Sequence, residues 1–442
     1  GYNNMESRMA QTASSLFAGN VTNFIMSMDH KETKEWHIDL EDPAVRSILV
    51  AQDGNPLEPY VPPPAPPKKE VKVEEVKEIT PEEIEAEYKR KAMFATAGTS
   101  TALALASMVP NTAMMSTFAL SCWVGNSCVQ GVSHALHSPL MAMTNAISGM
   151  TIVGGMLQLG GGVMPSNTAQ WLAAGAVGLS AVNLVGGTIV TKKMLDMFRR
   201  PDDPPEFNHY YLLPGVATGG ASSLLFLSGM NPPSLAPMLA LGSALGCVGG
   251  ISCLSSQDTA RLGISVGMSG IGTGMVATLA YMNPESDAVY AQLGLMGGAG
   301  GALGYYISQK IGPTELPQAV AAFHSLVGMA ATATAVGDYM VHGLGHGAFH
   351  DISLYLGAWL GSITATGSLI AYGKLSEKLD SAALALSGRD QINMGLGGLS
   401  LASMGAYVLT GDPTVAALAL GTGVAASGAL GLHMTASIGG AD

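Results

Sequence analysis

Charged side chains are scarce over most of this chain. Of its 442 residues, 52 are Asp, Glu, Lys or Arg, and 28 of these fall in residues 1–91, which leaves 24 for the other 351. Residues 92–191 contain no charged side chain. A soluble domain of that length could not cover its surface with so few charges, so the sequence indicates a polytopic membrane protein with a soluble N-terminal part. Nucleic-acid-binding proteins and ordinary cytosolic enzymes are excluded.

Cysteine is also scarce, and its placement excludes two further classes. The four cysteines lie in apolar runs, where a thiol behaves as a small hydrophobic group. Neither a disulfide framework nor a Cys-x-x-Cys metal site is indicated, and we expect no bound metal. The chain starts at Gly1 and shows no signal or transit peptide, so we expect it to be a piece of a longer protein.

Proline and charge divide the chain into three segments. Residues 1–60 are predicted to form a short mixed α/β piece, with helical spacing from Arg8 to about Met28 and strand-like patterns at 36–41 and 48–51. Residues 61–92 are predicted to form a linker, in which five prolines between positions 62 and 67 favour polyproline II and a charged stretch follows. Residues 93–442 are predicted to form a membrane domain.

This membrane domain contains twelve apolar segments that approach or exceed the ~20 residues needed to cross a ~30 Å hydrocarbon core. If the N-terminus is inside, all nine basic residues of the domain fall in or beside inside loops, as the positive-inside rule requires. We therefore predict an all-α bundle of about twelve transmembrane helices. The predicted spans are 93–110, 113–131, 140–160, 168–191, 210–229, 235–254, 260–282, 288–309, 315–341, 353–373, 391–410 and 412–434.

Small residues are frequent within these spans. Glycines recur at helical spacing in residues 263–274 and 297–301, which lets helix backbones approach closely. A phosphate-binding loop is rejected, because a dinucleotide fingerprint follows a strand and opens a helix, whereas these glycines lie within predicted spans. The pattern favours a compact helix bundle.

Ionisable residues at bilayer depth are rare and costly, so each is a candidate functional site. His324 lies nine residues beyond Glu315, roughly 13 Å into its span and close to the midplane. An imidazole there can take up and release a proton near neutral pH, although a neutral ring satisfied by a neighbouring helix is the alternative. Ser368, toward the inside end of the tenth span, is a weaker candidate that could hold water near His324.

Other polar residues within the membrane domain are weaker candidates. Asn145 and Asn183 fall in the third and fourth spans, a setting that favours interhelical hydrogen bonding over a proton path. Asp338 is expected on roughly the same helix face as His324 and marks the outer mouth of a path. Three histidines at spacing four (His342, His346 and His350) resemble metal-ligand spacing, but no second helix supplies a carboxylate, so no metal is expected there.

Several runs resemble the proton-translocating nicotinamide nucleotide transhydrogenases. They are GYNNMESRMA (1–10), SHALHSPLMAMTNAISG (133–149), VTKKMLDMF (190–198), LPQAVAAFHSLVG (316–328), TGS (366–368) and ASIGGAD (436–442). The resemblance extends essentially from end to end. It implies hydride transfer from NADH to NADP⁺ coupled to proton movement down the protonmotive gradient.

Family members carry an NAD(H)-binding domain I, a membrane domain II and an NADP(H)-binding domain III, and they work as dimers. The resemblance implies that residues 1–60 are the C-terminal remnant of the Rossmann-type domain I, and that residues 93–442 are most of domain II. The rest of domain I, domain III, a second copy of the chain and membrane lipid are then the expected partners. NAD(H) and NADP(H) belong to the complete enzyme, because neither nucleotide site is complete here.

The resemblance also implies residue roles. His324 matches the family's membrane histidine, thought to be the protonatable gate, and Ser368 matches a channel-lining serine. Asp442 matches an acidic residue at the border with domain III. Tyr2 and Arg8 fall in what resembles the mobile loop that closes over NAD(H). Asn145 is retained as a candidate for the proton path or its coupling.

The unbroken span at 210–229 resembles the fused, mitochondrial-type version of the family. We therefore expect the mitochondrial inner membrane with the soluble domain on the matrix side, and a bacterial inner membrane is the alternative. Two other functions remain open at this point. One is a non-redox, multi-pass ion-coupled transporter or channel with a soluble regulatory domain, and the other is a purely structural membrane subunit of a larger complex.

Overall fold

The computed structural model describes residues 7, 10–28, 38–52, 54–58, 89, 93, 112–199, 203, 205–230, 232–282, 284, 286–384 and 386–439. The chain divides into two compact units, residues 1–101 and 102–442.

The described part of the N-terminal unit is small and mixed. It contains helix α1 (Ala10–Ser27), the short helix α2 (Pro43–Ile48), and strands β1 (Ala51–Gln52) and β2 (Asn55–Pro56), which pair antiparallel. Asp42 begins α2, because its carboxylate accepts a hydrogen bond of 2.8 Å from the backbone N–H two residues later and the next residue is proline.

The sequence predicted this unit correctly in class and less well in detail. The helix expected from Arg8 to Met28 is confirmed over the range of α1. The strand expected at 36–41 is wrong where it is described, because residues 38–41 are irregular. The strand expected at 48–51 is displaced, because Ile48 ends α2 and pairing starts only at Ala51.

The membrane unit is a bundle of helices. Short 3₁₀ turns join or precede some of these helices, at His134–Leu136, Gly149–Thr151, Asn208–Leu212, Cys253–Ser255 and Pro313–Glu315. The helices are α3 (Thr112–Gln130), α4 (His137–Ser148), α5 (Ile152–Gln158), α6 (Thr168–Asp196), α7 (Leu213–Leu227), α8 (Leu235–Ser252), α9 (Gln257–Leu279), α10 (Ala288–Lys310), α11 (Leu316–His342), α12 (Ala348–Leu375), α13 (Arg389–Leu409) and α14 (Pro413–Ala436).

Among the described residues, nine helical segments are long and apolar enough to cross a membrane, and each coincides with a predicted span. The protein is a multi-pass membrane protein. Helices α3 and α10 occupy two further predicted positions without reaching that apolarity; α10 contains six glycines. The span predicted at 93–110 lies almost wholly outside the described residues. The nine are 134–158, 168–196, 208–227, 235–255, 257–279, 313–342, 348–375, 389–409 and 413–436.

Helix α6 makes close contacts with three other helices, and glycines lie at each contact. A Cβ added at Gly187 would lie 2.8 Å from the backbone nitrogen of Ala146 on α4. A Cβ at Gly186 would lie 2.6 Å from the Phe323 ring of α11. On the α10 side, Gly300 packs against the carbonyl of Gly178. Small residues therefore set the distances between α6 and three other helices, as the glycine-rich sequence indicated.

Two lysines tie helix ends together at one face of the bundle, which we call the inner face. Near the end of α6, Lys193 donates to the carbonyls of residues 308, 309 and 311 at the end of α10, at 2.6–3.0 Å. At the end of α12, the buried Lys374 donates to three carbonyls, of which Ala436 O and Ile438 O lie at the end of α14. Each ammonium satisfies carbonyls that have no partner within their own helix.

Candidate functional site

A cavity of about 660 Å³ opens among the inner-face ends of α4, α6, α11 and α12. We call it the inner cavity. Its lining is largely apolar, and its polar side chains include Ser138, His324 and Ser368. His324 and Ser368 come from different helices, α11 and α12, so the structure brings the two strongest sequence candidates to one space.

His324 is aimed at this cavity by its neighbour in the sequence. Phe323 is 2% exposed and packs against Gly186 of α6. Successive residues of a helix differ by about 100° in direction, because a turn takes ~3.6 residues, so burying Phe323 turns His324 away from α6. His324 is exposed to the cavity, and no described side chain hydrogen-bonds to its ring. Among the described residues, no neighbouring helix therefore supplies a hydrogen bond that would hold the His324 ring neutral.

Asn145 lies in the packing between helices and reaches the same turn of α11. Its side-chain Nδ2 donates to Val320 O at 3.4 Å, and its backbone carbonyl oxygen accepts from Asn183 Nδ2 at 2.7 Å. In an α-helix Val320 O is also the acceptor for the backbone N–H of His324. Asn145 and Asn183 are fully buried. Asn145 thus links α4, α6 and α11, which is the interhelical bonding that the sequence favoured for it.

A second cavity of about 530 Å³ lies nearer the other end of α11, between α5, α11 and α12. We call it the outer cavity. Its polar lining includes Gln158, Thr334, Asp338, His342 and His350. Asp338 contacts both histidines, so the residue expected at an outer mouth does line a space at the outer end.

The two cavities share no lining residue, and a close helix contact lies between them. A Cβ added at Gly328 of α11 would lie 2.6 Å from the carbonyl oxygen of Gly361 on α12 and 2.5 Å from the nitrogen of Ala365. We call this contact the glycine barrier. In sequence it falls between His324, on the inner cavity, and Ala331, on the outer cavity.

Three candidates cannot be placed in this way. Tyr2, Arg8 and Asp442 lie outside the described residues.

Sequence reasoning missed two polar residues of the inner end, Lys374 and His433. His433 Nδ1 contacts Asn393 Oδ1 of α13 at 2.7 Å. Each is a polar residue in the last turn of a long apolar helix, and that signal could have separated them from loop residues.

Family comparisons cover most of the chain. Residues 236–442 match the NAD(P) transhydrogenase beta subunit, and residues 114–200 match the 4TM region of pyridine nucleotide transhydrogenase. Residues 1–59 match the C-terminal domain of alanine dehydrogenase and pyridine nucleotide transhydrogenase. The chain belongs to the NAD(P) transhydrogenase family. His324, Ser368 and the outer cavity cluster around Asp338 all lie in the beta-subunit match.

Curated relatives agree with this assignment. The chain is 37% identical over 219 residues to the NAD(P) transhydrogenase subunit alpha of Cereibacter sphaeroides, covering 45% of this chain and 40% of that protein. It is 36% identical over 208 residues to the subunit alpha of Haemophilus influenzae, covering 45% of this chain and 39% of that protein. The chain thus spans about two fifths of the length of these relatives.

Proposed function

We propose that this chain is the proton-translocating membrane portion of an NAD(P) transhydrogenase, which couples hydride transfer from NADH to NADP⁺ with proton movement down the protonmotive gradient. The observation that carries the proposal is His324, an imidazole on a cavity within the helix bundle, in a segment matched to the beta subunit. The matches to two transhydrogenase membrane regions favour this function over a non-redox ion-coupled transporter or a purely structural subunit.

The setting of the chain is part of this proposal. Residues 1–60 belong to domain I, residues 61–92 are a linker, and residues 93–442 belong to domain II. One chain resembles both subunit alpha of bacterial relatives and a beta-subunit family, which supports the fused, mitochondrial-type arrangement. The inner face then lies on the matrix side of the mitochondrial inner membrane. The complete enzyme adds the rest of domain I and domain III, and it works as a homodimer in membrane lipid.

Hydride chemistry belongs to the bound nucleotides, NAD(H) and NADP(H), and the residues of this chain handle the proton. His324 binds a proton within the bundle, and Ser368 holds water beside it in the inner cavity. Asn145 fixes the turn of α11 that carries His324. The glycine barrier separates His324 from the outer cavity, as a gated path requires.

Coupling to the nucleotides is energetic. Protonation of His324 favours one of two states of domain III, open or occluded, and the nucleotide occupancy of domain III changes the proton affinity of His324 by the same factor. The chain that runs from the end of α14 to Asp442 carries this coupling to domain III. Tyr2 and Arg8 act separately, in the loop that closes over NAD(H).

The test is His324→Ala in the full enzyme, reconstituted into liposomes with a pH-sensitive dye inside. We expect the bundle to remain folded, because the ring faces a cavity, and nucleotide-driven proton movement to be lost. His209→Ala, which removes an exposed histidine of the 3₁₀ turn before α7, is the matched control and should behave as wild type. Near-normal proton pumping by His324→Ala would refute the role of His324.

A further inference from the structure

The outer cavity contains a cluster of titratable side chains that the proposed function has not used. Asp338 Oδ1 lies 2.9 Å from His342 Nδ1, and Asp338 Oδ2 lies 3.0 Å from His350 Nε2. The other ring nitrogen of His350 lies 3.3 Å from Asp351 Oδ1. His350 is therefore held between two carboxylates that come from two helices, α11 and α12.

Counting hydrogens shows that this arrangement needs one more proton than its neutral histidines and ionised aspartates supply. A neutral imidazole has one N–H, and an ionised carboxylate only accepts. With one N–H, one nitrogen of His350 would present its lone pair to a carboxylate oxygen, which is repulsive at about 3 Å. Attraction on both sides requires either a doubly protonated His350 or a protonated Asp338 or Asp351.

The surroundings suit a proton that exchanges with water on one side and is shielded on the other. The Asp351 side chain is 10% exposed, whereas that of His342 is 48% exposed. Among the described residues, the other titratable groups near the cluster are His346 on the connecting loop, Tyr339 of α11, Tyr407 of α13 and Asp412 at the start of α14. Of these, His346 directs its Nε2 to the backbone oxygen of His342.

From this cluster the outer cavity continues along α11 in the direction of His324. Its lining passes from Asp338 through Thr334 to Ala331, beside Gln158 of α5. Gln158 Oε1 and Thr334 Oγ1 are buried without a hydrogen-bond partner among the described residues. Ala331 is seven residues from His324, or roughly 10 Å at ~1.5 Å per residue.

We propose that Asp338, His350 and Asp351 form the outer proton-loading site of the translocation path. The site takes one proton from water at the outer face, holds it between the two carboxylates, and releases it along the outer cavity toward His324. This inference rests on the proposed function, because it assigns the entry point of the same proton.

The test uses the complete enzyme in liposomes, with the pH on the side of the outer face varied independently of the other side. Asp338→Asn keeps the size and polarity of the side chain and removes the shared carboxylate. We expect its proton flux to fall by at least about tenfold, because positioned proton-transferring groups contribute ~10²- to 10⁴-fold to the steps they assist. His350→Gln, a second variant in case the first misfolds, should lose a similar factor.

His346→Gln is the matched control, because it removes a neighbouring histidine that contacts no carboxylate of the cluster. It should retain the wild-type flux and the wild-type dependence on outer-side pH. A wild-type flux with unchanged outer-side pH dependence in a folded Asp338→Asn or His350→Gln enzyme would overturn the loading site. Failure of the proposed function would look different, since the wild-type enzyme itself would then move no protons in response to nucleotides.

Nitrogen NMR of the labelled full enzyme gives a readout that does not depend on turnover. With a shared proton, the His350 ring is either doubly protonated or paired with a protonated carboxyl, and Asp338→Asn should change its nitrogen shifts. His346→Gln should leave those shifts in place. Identical His350 shifts in wild type and Asp338→Asn would contradict the shared proton.

Discussion

The glycine barrier between the two cavities can be tested by adding a single methyl group. In Gly328→Ala the new Cβ would lie 2.6 Å from Gly361 O and 2.5 Å from Ala365 N, both backbone atoms that cannot rotate away. Non-bonded heavy atoms attract each other at ~3.5–4.0 Å, so α11 and α12 must separate by about 1 Å at this point. Overpacking of this kind costs ~1–3 kcal/mol.

The chain offers a matched control on the facing helix. Gly357 lies one turn before Gly361 on α12, and a Cβ there would meet Ala335 at 3.7 Å, an ordinary contact. Both substitutions gain the same ~0.5–1 kcal/mol of helix propensity, so the difference between Gly328→Ala and Gly357→Ala isolates the clash. We expect Gly328→Ala to be less stable than Gly357→Ala by ~1–3 kcal/mol.

Two assays read this difference. Thermal unfolding in detergent compares the stabilities, and a pH-sensitive dye in liposomes without nucleotide measures passive proton leak. Separation of the helices should raise the leak of Gly328→Ala above that of wild type, while Gly357→Ala should match wild type. If Gly328→Ala unfolds at or above the temperature of Gly357→Ala and leaks no more, the contact does not separate the two cavities.

Two further predictions concern helix ends. Lys374→Met removes the buried ammonium that donates to three carbonyls and should lower the free energy of unfolding by ~1–3 kcal/mol. The exposed Lys378→Met should change it by less than ~0.5 kcal/mol, and equal unfolding temperatures would contradict this. Asp412 accepts backbone hydrogen bonds from Val415 and Thr414, which lower its pKa. The ionised Asp412 therefore stabilises the fold fully above the ordinary carboxyl pKa of 3.8, and this stabilisation is lost as the pH falls through the lowered pKa. Asp412→Ala should therefore weaken the fall of the unfolding temperature at acid pH. An unchanged fall would contradict the role of Asp412 at the start of α14.

Positions of the helices could be predicted from the sequence, because length and apolarity decide which segments cross a bilayer. The same reasoning identified His324, since an imidazole in an apolar span stands out whatever its neighbours are. It also favoured interhelical bonding for Asn145, since a buried amide in a bundle needs partners on other helices. These inferences depend on single segments and not on which segments meet.

Pairing between helices could not be predicted in this way. Gly328 is one of many glycines in the spans, and nothing in its own segment shows that it meets Gly361. The outer cluster was recognised only as histidines at spacing four, because His350 meets the carboxylate of Asp338 only where α12 packs against α11. The sequence placed Lys374 among the loop charges, although its side chain is buried. A lysine near the end of a span satisfies the positive-inside rule whether it lies in the loop or is buried in the last turn of the helix.

Contacts among helix ends provide a count of membrane crossings that does not depend on hydropathy. Arg261 at the start of α9 pairs with Glu206, which follows α6, with Nε 2.9 Å from the carboxylate, so α7 and α8 together return the chain to the inner face. Lys193 then joins the end of α6 to the end of α10. Between those two ends lie α7, α8, α9 and α10, and only an even number of crossings can bring them together. Because α9 leaves the inner face, α10 must cross back. The glycine-rich α10, which falls short on apolarity, is therefore a membrane span, and its place is fixed by the lysine that caps it.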